Sequence, residues 1–484
     1  MPHSRCHART HSRRFVHVAM SLLVPLITAL LHSAILAADI VVDPDNGDDA
    51  ANGVAQPVRT IARAIRLAAP GDTIHLQPKT YRDWAPFFDK AGEPDRPITL
   101  DGHGGTLEGC DPLTADGWVD LGGGLHRHDD LLPLTDAIVD RWFFLRPDGS
   151  LNRMRRCSKG PSEPLKKPEA LAPGEWTFVK NAERTKSARA GYIFGSFYLR
   201  LAEGESLATC GLSIPYRTAG VLIRGESRHL VVKNLTSKHP YNDGFNLSDC
   251  VDVRFENIRA EDCGDDGISA HGACCYTVDG FTSMGNATGI CDTGSSETSY
   301  RNVRIERCVG FDLYFLDTGK YSVRDAVIRS SSVRPLYLLG RDAPEEPCHL
   351  NLENVRLERL PHAGAAEVRV SPNCRLEMRR CTVAGLDWQA TGGAIVVEQS
   401  ILGGAVPETP PRAAWLHLWP KATWEAAENV YAFGSVRVGQ KSFDPAKIDG
   451  FRAAVARDDG SRWIDFADLS KSTLNADGVG ADTE

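Results

Sequence analysis

The chain has 484 residues, long for one compact core, so it holds either several domains or an elongated repeat. Lys+Arg number 55 against Asp+Glu 63, a formal net charge of -8, which gives no basic surface for a nucleic-acid partner.

Residues 1–38 read as an export signal. Arg5, Arg9, Arg13 and Arg14 precede the apolar run "VAMSLLVPLITALLHSAILA", and the chain turns polar at "ADIVVDPDNGDD". Cleavage is expected near Ala37 or Ala38, placing the mature protein outside the cytoplasm, secreted or periplasmic. An uncleaved membrane anchor is the alternative. "SRRF" is similar to a twin-arginine signal. After cleavage no membrane contact is expected, because no later stretch is long and apolar enough to span a bilayer. Cys6 lies in the signal, and the remaining twelve of 13 cysteines show no metal-ligand spacing. Cys250, Cys263, Cys291 and Cys308 read as small buried wall residues.

Residues 39–110 read as an N-terminal cap and first coils: a loop, an amphipathic helix with Ile61, Ala64, Ile65 and Ala68 on one face, then a strand after the turn "APGD". The "GDD", "RTI" and "PGDTI" order resembles the start of many secreted bacterial β-helix proteins. Over 111–218 periodicity is lost. "GEWTFVKN", "GYIFGSFYLRL" and "ESLATCGLSIPYR" read as antiparallel strands of an inserted β-rich module.

From 219 to 404 the chain repeats itself. The pivots Asn234, Asn257, Gly280, Asn302 and Asp325 recur at 22 or 23 positions before a longer coil reaches Asn354, and Gly220, Gly244, Gly267 and Gly289 form a second column. Short alternating stretches such as "HLVVKNL" and "VDVRFENI" lie between them. Strands this short, Asn/Asp/Gly turns and a coil of this length predict an all-β fold, the parallel β-helix, with a capping helix and an inserted β-rich module. The resemblance to secreted bacterial β-helix proteins implies its right-handed, pectin-lyase-like form. The recurring asparagines would bond up and down the stack, a structural task. Residues 405–484, opening with Pro407, Pro410 and Pro411, are expected to cross back as a C-terminal cap.

On the glycine column, Asp243-Gly244-Phe245 lies beneath Asp266-Gly267-Ile268, with Thr288-Gly289-Ile290 above, and Asn242 and Asp265 stand just before. Three carboxyl groups therefore converge on two successive turns. Each charge raises its neighbour's pKa, so one keeps a proton, the division of labour that glycosidic cleavage needs. Asp243, Asp265, Asp266 and His271 are the candidate catalytic residues. The bland reading is that Asp-Gly is simply a favoured turn pair.

"NDGFNL" and "GDDGISA" resemble the "NTDG" and "DDC" motifs of the polygalacturonase family of glycoside hydrolases. The resemblance implies a right-handed β-helix in which Asp243, Asp265 and Asp266 supply the general acid and activate water. Where that family has "GHG" and "RIK", this chain reads Ala287-Thr288-Gly289 and Arg304-Ile305-Glu306. His239, Tyr241 and Asn246 are candidate substrate contacts. Asp292 and Asp317, in "CDTG" and "LDTG", would stack at a 25-residue offset and bind sugar hydroxyls or serve as turns. No cofactor is required by this reading. Ca²⁺ held by these aspartates is the alternative.

The expected function is glycoside hydrolysis of a polysaccharide by a monomer. The runner-up is a polysaccharide lyase, with Lys320, Arg324 or Arg341 as base. A third possibility is a non-catalytic carbohydrate-binding β-helix.

Overall fold

The computed structural model describes residues 37–132, 136–160, 162–186, 191–342 and 345–466. The expected signal therefore lies, up to residue 36, outside the described residues. Among the described residues no helix is long and apolar enough to cross a membrane.

Each coil contributes a short strand and a long strand, and both stack in parallel on those of the next coil. The short strands run Ala219–Arg224, Asp243–Ser248, Asp266–His271, Thr288–Asp292, Phe311–Asp317 and Arg334–Gly340. Their register places Phe245, Ile268, Ile290, Leu313, Leu336, Val368, Trp388 and Leu416 in one column. All eight are buried, so alternation within each strand builds a continuous apolar lumen.

The long strands, for example Arg228–Lys238 and Val251–Glu261, bend at the pivots. Asn234, Asn257, Gly280, Asn302, Asp325 and Asn354 all have positive φ, between 52° and 81°. Asn, Asp and Gly tolerate that left-handed conformation best. Asn257 Nδ2 donates to Asn234 Oδ1 at 3.0 Å, and Asn234 donates to Asp101 at 3.0 Å. Gly280 interrupts the ladder because it has no side chain. Asn302 accordingly bonds Asp279 at 2.6 Å, and Asn354 bonds Asp325 at 2.8 Å.

The helix Ile61–Leu67 starts at Thr60, whose side chain accepts from Arg63 N, and buries Ile61, Ala64 and Ile65 against the first coil. The segment between the first coils and Ala219 forms two four-stranded antiparallel sheets. One comprises Trp118–Asp120, Leu125–Asp129, Gly195–Arg200 and Trp176–Lys180. The other comprises Cys110–Pro112, Ser213–Pro215, Phe144–Leu145 and Leu151–Asn152. Trp142, Phe144, Trp176 and Phe197 centre a core separate from the coil lumen.

The expected end of the coils at 404 is corrected. Arg412–Leu418 stacks in parallel on Asp387–Ala390, Ala422–Ala427 on Gly393–Glu398, and Val430–Val438 on Ile401–Gly403. The prolines at 407, 410 and 411 fall between strands, where no ladder donor is needed. Closure comes later, from the helix Ile448–Arg452, whose Phe451 packs edge-on against Tyr431 and Trp463.

Candidate active site

Asp243 and Asp266 open successive short strands, and the backbone N–H of Asp266 donates to Asp243 Oδ1 at 3.0 Å. The glycine after each lets the turn press against the opposite wall. A Cβ on Gly267 would stand 2.6 Å from Ser283 Oγ and 2.7 Å from the Gly289 carbonyl, and one on Gly244 would stand 2.7 Å from Ala260 Cβ. Close stacking brings ligand oxygens of Asp243, Asp265 and Asp266 within 4.8 Å of one another, all three residues being about 2% exposed.

The other half of the site comes from the inserted module, and sequence reasoning missed it. Arg153 clamps the module to the coil edge by donating to the carbonyls of Cys263 at 2.6 Å, Gly264 at 3.2 Å and Gly285 at 3.3 Å. The next turn of chain drops Lys159 onto the carboxylates. Its Nζ lies 2.5 and 2.6 Å from the two oxygens of Asp266 and 3.4 Å from Asp265 Oδ1. Ser158 Oγ donates to Asp265 Oδ1 at 2.7 Å, and Arg141 pairs with Asp265 Oδ2 at 2.6 Å and also bonds Asn242. The run "RMRRCSKG" was the available signal, a cationic loop in an acidic chain, but nothing in it names a partner.

The environment splits the carboxyl groups. Burial and the adjacent charge of Asp265 push Asp266 up to about 8, against the pull of Lys159. For Asp265 burial also acts upward, but Lys159, Arg141 and the Ser158 hydroxyl outweigh it and hold the group below the usual range. Burial would pull Lys159 down, yet the surrounding carboxylates raise it well above its ordinary value. Lys159 and Arg141 place two cationic groups against the carboxyl groups of Asp265 and Asp266.

Asn246 joins the cluster: its amide and the Ser269 hydroxyl, the latter at 2.8 Å, both donate to Asp243 Oδ2. His271 is exposed and touches none of the three carboxylates; its Nε2 lies 3.4 Å from Ser269 Oγ, one hydroxyl removed from Asp243. Tyr241 is half-buried just before the cluster. His239 is corrected as a sugar contact: it is buried, with Nδ1 3.0 Å from the Glu108 carboxylate.

Asp292 is also corrected. Counting by twos from core-facing Ile290 points it inward, and it accepts from Tyr276 at 2.7 Å, Thr298 at 2.7 Å and Tyr300 at 2.9 Å. Its ladder neighbour is Phe315, so the expected stack on Asp317 does not form. Asp317 instead pairs with Arg341 at 3.1 Å and accepts from Gly294 N. Lys320 and Arg324 are likewise held in ion pairs, with Glu297 and Glu353.

Three clustered carboxylates are the donor set a hard cation prefers. In this arrangement, however, every one of their oxygens already meets a protein donor within 3.0 Å. The residues as placed do not fit a divalent ion.

Residues 219–342 match a family model described as a right-handed β-helix region. The curated pectate lyase PEL9 of Emericella nidulans is 38% identical over 80 residues, 16% of this chain. The match spans 20% of that relative's length. A solved structure titled "The complex structure of XylC with xylose" superposes with a TM-score of 0.48 at 11% identity, over 84% of this chain and 86% of that one. With the parallel ladders, the family match makes the fold a right-handed parallel β-helix.

Proposed function

We propose that this protein is an exported carbohydrate-active enzyme, a glycoside hydrolase that cleaves a polysaccharide by carboxylate acid/base catalysis. The observation that carries the reading is the convergence of Asp243, Asp265 and Asp266 from two coils, with the acidities of Asp265 and Asp266 driven apart. Asp266, the carboxyl group of raised pKa, is the one suited to protonate a leaving glycosidic oxygen, and the ionised Asp265 the one suited to activate water. Lys159 and Arg141, both from the module, keep the developing charges balanced.

The row beyond Asn246 runs through Ser269 and Cys291, both buried, to the partly exposed Tyr314, Tyr337 and Arg369. Phe311, Tyr314 and Tyr337 stack at 4.4 and 5.4 Å between centroids, and Arg334 lies 4.9 Å over Tyr337. A polymer laid along the coils would meet one rung per sugar, at about 4.8 Å per rung. Arg334 and Arg369 on this path share the single carboxylate of Glu367, at 3.9 and 3.7 Å, and the positive charge left over favours an acidic polysaccharide.

Elimination is the second reading, favoured by the local similarity to a pectate lyase and by a lysine on the carboxylates. Lys159 is held protonated, which suits a charge-balancing role better than that of a base. Incubation with a panel of acidic and neutral polysaccharides decides between them. Hydrolysis gives new reducing ends without ultraviolet absorbance, whereas elimination gives an absorbing unsaturated end. If no polymer is cut by the wild type, the catalytic reading fails.

A further inference from the structure

We propose that Lys159 is a cation built into the chain at the place a divalent ion would take among Asp243, Asp265 and Asp266, so that the native protein has no calcium site there. A calcium ion coordinated by carboxylates sits about 2.3–2.6 Å from each oxygen and needs six to eight oxygens. The Lys159 ammonium already stands 2.5 and 2.6 Å from the two oxygens of Asp266 and 3.4 Å from Asp265. The remaining oxygens are directed at other donors: Ser158 and Arg141 for Asp265, and the Asp266 N–H, Asn246 and Ser269 for Asp243.

Charge balance points the same way. A divalent ion could enter the buried cluster only by displacing Lys159, because otherwise its charge would be buried directly against the ammonium. Lys159 is not easily displaced. A Cβ on the following Gly160 would stand 3.2 Å from Gly310 Cα, so the module backbone lies directly on the coil edge, and Arg153 fixes the same segment to three carbonyls. The inference concerns only what occupies the carboxylate cluster and stands apart from which reaction, if any, the cluster performs.

The test reads calcium binding and needs no substrate. Thermal unfolding of the full chain and terbium luminescence are followed with and without calcium for wild type, Asp266→Asn, Lys159→Met and the double variant Lys159→Met/Asp266→Asn. The expected result is an unmoved wild-type midpoint, a rise of several degrees for Lys159→Met, and loss of that rise in the double variant. A wild-type shift that Asp266→Asn abolishes overturns the proposal, as does a folded Lys159→Met that gains no affinity. If Lys159→Met does not fold alone, calcium should restore its folding and magnesium should do so less well. Failure of calcium to restore it also overturns the proposal. Loss of activity on every polysaccharide would leave these readouts unchanged, which separates the two claims.

Discussion

Lys159 and Asp266 are 107 residues apart in the chain, yet the ammonium of one rests on both carboxylate oxygens of the other. The first lies in an antiparallel module and the second on a parallel coil, so the site exists only where the two meet.

Asp266→Asn removes the proton donor but keeps the shape of the turn. It should lower the rate about 10²- to 10⁴-fold. Melting should change little, because near neutral pH the native side chain is itself uncharged. A reducing-end assay beside a melting curve checks both. Retained activity would return Asp266 to a turn residue.

Arg141→Gln takes one cation from Asp265, whose pKa then rises from its depressed value. Asp265 is depressed in the folded state, so its contribution to stability is present above the unfolded value and lost as pH falls through the folded one. The variant should therefore lose activity at a higher pH on the acidic side than wild type does. It should also be less stable at neutral pH by on the order of 3 kcal/mol, the scale for opening a buried pair. A pH–rate profile whose acidic limb does not move argues against Asp265 as the working carboxylate.

Much of the coil architecture could be read from residue types, because a left-handed pivot accepts few of them. Asn234, Asn257 and Gly280 therefore recur visibly, as do glycines where the turns leave no room for a Cβ. The carboxylate trio followed from the same period. Lys159, Ser158 and Arg141 did not, since a contact between a loop and a coil leaves no periodic trace. Asp292 was legible in principle. The order Ile290, Cys291, Asp292 alternates in, out, in, and that phase outranks the resemblance between "CDTG" and "LDTG".

The inward Asp292 makes its own prediction. Burial raises it to about 6 while the hydroxyls of Tyr276, Thr298 and Tyr300 pull it back. A raised folded value means its stabilising contribution is complete below about pH 4 and lost as pH rises through about 6. Asp292→Asn should flatten the fall in melting temperature across that window and gain up to roughly 3 kcal/mol at pH 7 relative to wild type. Subtracting the two melting-versus-pH curves isolates Asp292 from Asp312, which is raised to about 6 in its own cluster. A difference curve that is flat with pH would be inconsistent with a buried, titrating Asp292.

Arg334→Gln should raise KM about tenfold on an acidic polymer and leave kcat nearly unchanged, because the guanidinium lies along the coils from Asp266 and not on it. On the same polymer with its carboxyl groups reduced, wild type and variant should have equal KM. An equal rise on both substrates would make the arginine a packing residue of the Tyr337 stack.

Trp176→Ala tests whether the module is part of the site. Trp176 is fully buried between Phe144 and Phe197, in a core that shares no member with the coil lumen. Truncating it should cost about 3–5 kcal/mol, borne by the module alone. The coils keep their own apolar column, so unfolding should separate into two transitions, the earlier one belonging to the module. Activity should vanish with that first transition, because Lys159 and Arg141 leave the carboxylates while Asp243, Asp265 and Asp266 stay in place on their coils. Full activity persisting between the two transitions would show that the coil residues suffice.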